Sequence, residues 1–134
     1  RHANGTSVET DLPDELGGRD HLISSGWLFR AGLASCAATS IALLAVAEGI
    51  EMSTLEVVAE SRSDTRGLLG MTDALGEPVS PTPQAVRLRV RIAAEGITGE
   101  RLHSLVERAC ERSPIPGAVQ CALPLQLQID TGAA

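Results

Sequence analysis

The 134-residue chain carries a clear pattern of apolar and polar positions. The stretch Ala31–Ala47, "AGLASCAATSIALLAVA", holds no charge and shows apolar residues at every angular position. That predicts a helix from about Gly26 to Glu48, surrounded by protein rather than lying on a surface. Ser24 or Ser25 is placed to cap its start, and Glu48-Gly49-Ile50 supplies a glycine stop followed by an apolar residue. "STLEVVAESRSD", Ser53–Asp64, alternates: Leu55, Val57 and Ala59 on one face, Glu56 and Glu60 on the other. This predicts a half-buried strand. "QAVRLRVRIAAE", Gln84–Glu95, repeats the pattern with Val86, Leu88, Val90 and Ile92 inward and Arg87, Arg89 and Arg91 outward. The arginine row is read as the partner of Glu56 and Glu60 across an antiparallel ladder; the other reading is an anion site.

Thr98 is the expected cap of a second helix, in which Leu102, Leu105, Val106, Ala109 and Cys110 form one apolar stripe. Ser113 continues the stripe and Pro114 ends the helix. Short strands are expected at Thr6–Thr10 and Leu123–Ile129. Leu12–Asp20 reads as a turn, and Thr65–Pro83, with three prolines, as a long loop. Segregated strands and helices imply an α+β fold in a single domain, residues 1–134.

Composition narrows the classes. Net charge is −6, and the only aromatic residues are Trp27 and Phe29. Nucleic acid or an anionic membrane surface calls for basic patches and stacking rings, so neither is an expected partner. "LASC", Leu33–Cys36, looks like a lipoprotein cleavage box, but the apolar run follows the cysteine instead of preceding it. No membrane span or export signal is expected. Three scattered histidines and three cysteines outside any CxxC pair offer no metal site. No nucleotide-binding glycine motif, nucleophile elbow or triad spacing is present, and no cofactor is expected. The small, odd number of cysteines fits a reducing cytoplasm. Bottom-up chemistry therefore rests on Cys36, Cys110 and Cys121. Cys36 is either an inert core thiol or a reactive one.

Taken together, "LGG", "AGLASCAATSIALLAVAEGI", "LEVVAES", "VRLRVRIAAEGIT" and "LVERACERSPIPGAVQCALPLQLQI" resemble, in that order, the OsmC/Ohr family of small bacterial stress proteins, over about Ser7–Asp130. The resemblance implies an intertwined homodimer with the long central helices packed in the middle and a site at the subunit interface. It implies that Cys36 stands where peroxidase members hold the cysteine that reduces organic hydroperoxides. In those members a second cysteine, in a "CP" turn, forms a disulfide with it, and an external dithiol resets the enzyme. Here that turn reads Ser113-Pro114, and the family's activating carboxylate falls on Gly26. The hairpin bearing the family's arginine is missing or shortened, which leaves Arg1 and Arg30 as candidates for its place. Two places remain for Cys110: a displaced resolving thiol, about 5 Å from the family position, or a core residue. Cys121 is expected to be structural. Two functions follow: a thiol-dependent peroxidase working through Cys36, or a non-catalytic homodimer binding a small apolar ligand in a pocket that includes Trp27, Phe29 and Ser113.

Overall fold

A computed structural model describes residues 2–129. Its elements are helix α1 (Ser25–Ala47), strand β1 (Met52–Arg62), the short helix α2 (Thr65–Leu68), strand β2 (Ala85–Ala94), helix α3 (Gly99–Glu111) and helix α4 (Pro114–Cys121). The architecture is α+β, as the segregated pattern predicts.

Helix α1 starts where Ser24 accepts the Trp27 N–H at 3.2 Å. It stops at Gly49, whose φ of 67° is the left-handed conformation glycine adopts without steric cost. The Ile50 N–H then reaches back to the Ala45 carbonyl at 2.9 Å, and the Gly49 N–H to that of Val46 at 3.1 Å. These two bonds form the Schellman closure, which satisfies carbonyls the helix itself cannot. It also turns Ile50 into the core beside Ile41, Leu102, Leu105 and Ala109.

β1 and β2 pair antiparallel, with Glu56 opposite Arg91, Val57 opposite Val90 and Glu60 opposite Arg87. Leu55, Val57, Val90 and Ile92 pack toward the core. On the outer face Arg91 pairs with Glu56 and Arg89 with Glu60, so the arginine row is the ladder expected from alternation. α3 begins at Thr98, whose hydroxyl accepts the Arg101 N–H, and buries Leu102, Leu105 and Ala109.

Four expectations change. Thr6–Thr10 and Leu123–Ile129 form no strand: among the described residues β1 and β2 pair with each other and no further strand lies alongside these segments. Along the second segment every apolar side chain is solvent-facing, Leu125 being 92% exposed. Thr65–Pro83 is more ordered than a loop. It holds α2 and a bridge between Thr72 and Pro78, around a turn in which the Asp73 carboxylate accepts the N–H groups of Leu75 and Glu77. Pro114 ends α3 but also opens α4, occupying the first helical position, where a missing N–H costs nothing. Finally, α1 is not surrounded by this chain. It buries one stripe, Leu33, Ala37, Ile41 and Ala45, at a spacing of four, while Leu43 and Val46 are 68% and 78% exposed.

The turn before α1 is built as its sequence suggests. The Asp11 carboxylate accepts from the N–H groups of Leu12, Arg19 and His21. Gly18 lies so close to the Leu12 backbone that a side chain there would overlap it.

Candidate functional site

Ser113-Pro114-Ile115-Pro116-Gly117 opens α4, and its composition decides which donors stay free. An α-helix leaves its first N–H groups without helical acceptors. Pro114 and Pro116 have no N–H. Gly117 donates to the Ser113 carbonyl at 2.9 Å, and Ser113 donates to the Cys110 carbonyl at 3.1 Å. One donor of the turn is left over, the N–H of Ile115, and it points at the Cys36 sulfur, 3.5 Å away. Ser113 stands at the N-cap position, yet its hydroxyl does not cap its own helix. It donates instead to Cys36 Sγ at 3.2 Å. The sulfur on α1 thus serves as acceptor for the start of α4.

Ser113 is 1% exposed, while Cys36 is partly accessible. A serine hydroxyl fully removed from water needs a partner, and Cys36 is that partner. Two donors therefore converge on one partly accessible sulfur at the start of α4. A thiolate is the nucleophilic form of cysteine, and such a sulfur can attack an electrophilic oxygen or sulfur.

An apolar cavity of about 190 Å³ between α1, β2 and α4 is lined by Leu33, Val86, Leu88, Pro116, Val119 and Gln120. Leu33 lies one turn before Cys36 on α1, and Pro116 directly follows Ile115, so the cavity and the sulfur share the α1–α4 junction. Its walls suit a hydrocarbon group.

The structure brings Cys36 and Ser113 together, and among the described residues no other candidate side chain is hydrogen-bonded to the Cys36 sulfur. Cys110 is partly buried and packs against the Ile41–Ala45–Leu105–Ala109 cluster. Burial pushes its thiol up from the ordinary cysteine value. Cys121 is exposed at the far end of α4. Trp27 is exposed in the first turn of α1, and Phe29 is partly buried. Arg30 donates to Ser61 Oγ at 3.3 Å, bridging α1 to β1 rather than reaching the thiol. Arg1 lies outside the described residues. Among the described residues no group of three or more His, Cys, Asp or Glu side chains is placed to hold a metal. Reading side chains alone missed Ile115, whose contribution is a main-chain donor. The signal was present in the spacing of Pro114 and Pro116, which strips its neighbours of theirs.

Comparison with known proteins follows the same lines. The family model described as OsmC-like protein matches residues 18–128. Among solved structures, an organic hydroperoxide resistance protein OsmC from Legionella pneumophila aligns with 21% identity and a TM-score of 0.59, covering 88% of this chain and 77% of its own. An organic hydroperoxide resistance protein from Elizabethkingia anophelis aligns with 24% identity and a TM-score of 0.58, covering 88% and 76%. An OsmC-like protein of unknown function from Vibrio cholerae aligns with 14% identity and a TM-score of 0.68, covering 88% and 75%. At such identities these likenesses establish a shared fold. No protein of curated function matches the chain.

Proposed function

The chain belongs to the OsmC-like family, and from that premise we propose that it reduces organic hydroperoxides with the Cys36 thiolate, in the reducing cytoplasm, as a homodimer. The observation that carries the reading is the pair of donors, Ser113 Oγ–H and Ile115 N–H, converging on Cys36 Sγ beside an apolar cavity. The donors hold the sulfur in place. The cavity offers apolar walls to the organic part of the peroxide. The sulfur attacks one peroxide oxygen, the O–O bond breaks, and the organic fragment leaves as an alcohol while Cys36 becomes a sulfenic acid. An external thiol returns it to the reduced state.

The second copy is supported by two surfaces. α1 is long and apolar enough, by length and composition, to cross a membrane. β1, α3 and α4 nevertheless pack on it along one stripe, and Leu43 and Val46 remain open on the other side. The segment Leu123–Ile129 alternates leucine and isoleucine with proline and glutamine, a strand pattern without a strand beside it. A second chain can cover both surfaces.

Turnover tests the reading. Reduced protein with cumene hydroperoxide and a small thiol is expected to yield the alcohol catalytically, and Cys36→Ser to yield none above the thiol-only background. Equal rates with and without Cys36 would rule the enzyme out. The cavity by itself also supports the other reading, a non-catalytic homodimer holding a small apolar ligand. That reading predicts ligand binding that survives Cys36→Ser with no peroxide consumption by either protein.

A further inference from the structure

Resting on the peroxidase reading of the same site, we propose that Cys36 runs a one-thiol cycle. Ser113 holds the sulfur in both redox states, and an external monothiol, not a cysteine of this chain, removes the oxygen.

The surroundings of the sulfur carry the inference. Its two hydrogen-bond donors are a hydroxyl and an amide. Neither can form a disulfide. The chain has two other cysteines. Cys110 is partly buried against the core cluster, and its burial disfavours the attacking thiolate. Cys121 is exposed at the C-terminal end of α4, whereas the Ile115 N–H that meets the sulfur lies in its first turn. Ser113 occupies the place from which a thiol would capture the oxidised sulfur, and its oxygen is 3.2 Å from it.

The cycle balances. The Cys36 thiolate, one hydroperoxide and one proton give a sulfenic acid and an alcohol; an S–O bond forms, the O–O bond breaks and the sulfur loses two electrons. A monothiol then attacks that sulfur, the S–S bond forms, and the oxygen departs as water with one proton from the thiol and one from the medium or the sulfenic acid. A second monothiol exchanges with the mixed disulfide, releasing Cys36 and a small disulfide. A hydroxyl both donates and accepts. Ser113 can therefore donate to the thiolate before oxidation and accept from the S–OH group after it.

The test uses fully reduced protein, one equivalent of cumene hydroperoxide and intact-mass and peptide analysis, followed by excess 2-mercaptoethanol. The expected product is one added oxygen on Cys36, replaced by a 2-mercaptoethanol adduct on the same residue. Cys110→Ser and Cys121→Ser leave that sequence unchanged. Ser113→Cys, by contrast, loses two hydrogens as Cys36 bonds to the introduced thiol. Ser113→Ala slows oxidation of Cys36 about tenfold, the scale of a lost hydrogen bond to a charged group, and Ser113→Thr restores it. If the unmodified protein instead loses two hydrogens, and Cys110→Ser or Cys121→Ser prevents this, the one-thiol cycle is wrong while the peroxidase reading survives. If the mass does not change at all, both fall. If Ser113→Ala is oxidised as fast as the native protein, the role given to Ser113 is overturned.

Discussion

The Cys36 sulfur closes the first turn of α4 and is also the candidate nucleophile, and the two roles have separable consequences. As an acceptor it satisfies a buried hydroxyl and a main-chain N–H. Cys36→Ala leaves both without a partner. It is expected to lower the unfolding free energy by about 1–3 kcal/mol, read from urea denaturation. Cys36→Ser keeps an oxygen acceptor and is expected to lose less. If Cys36→Ala is as stable as the native chain, the sulfur is not the cap the structure shows. Cys36 draws attention in the sequence because thiols are few, and Ser113 because the resemblance puts the family's second-cysteine turn there. Ile115 was not, because apolar side chains do not advertise a main-chain donor. Trp27 and Phe29, expected in a ligand pocket, do not line the apolar cavity, whose walls are aliphatic side chains, proline and glutamine.

Between elements, α1 and α3 are tied at the end of α1. Arg108 on α3 donates to the carboxylate of Glu48, the C-cap residue of α1, at 2.6 Å, and that hydrogen bond holds the Glu48 carboxyl below its ordinary value. A carboxyl lowered in the folded state adds stability that is complete above its unfolded pKa, about 4.3. The contribution is lost as pH falls through the lower folded value. The native protein is therefore expected to lose more thermal stability between about pH 5 and pH 3 than Glu48→Gln does. Identical pH dependence in the two proteins would remove this tie from the account. One residue further on, Gly49→Ala places a side chain at a φ of 67° with no neighbour within 4 Å to clash. The cost is then backbone strain alone, about 1 kcal/mol, again measurable in urea. Caps and alternation made α1, β1, β2 and α3 legible. α4 is hidden in the sequence because the proline that ends one helix also starts the next. The two unformed strands carry a genuine strand pattern, but pattern specifies which face is apolar, not whether a partner lies alongside.

For the whole molecule, the segregation of strands and helices identified the α+β class, and the collinear run of local patterns identified the family. What the pattern could not divide is the cover of α1 between this chain and another. An all-round apolar helix needs cover on every side, and this chain supplies one stripe of it. Val46, 78% exposed on the open side, is the position to test. Val46→Arg is expected to convert the proposed dimer to monomer in light scattering while α-helical circular dichroism is retained. A monomeric native protein would instead leave the open face of α1 unexplained by self-association.

The central claim is that Cys36 is a peroxide-reactive thiol, and intact mass before and seconds after a slight excess of cumene hydroperoxide tests it most directly. The account predicts a rapid gain of one oxygen that maps to Cys36 and is absent from Cys36→Ser. An unchanged mass, in folded protein with all three thiols reduced beforehand, would contradict it and leave the fold as a scaffold for binding.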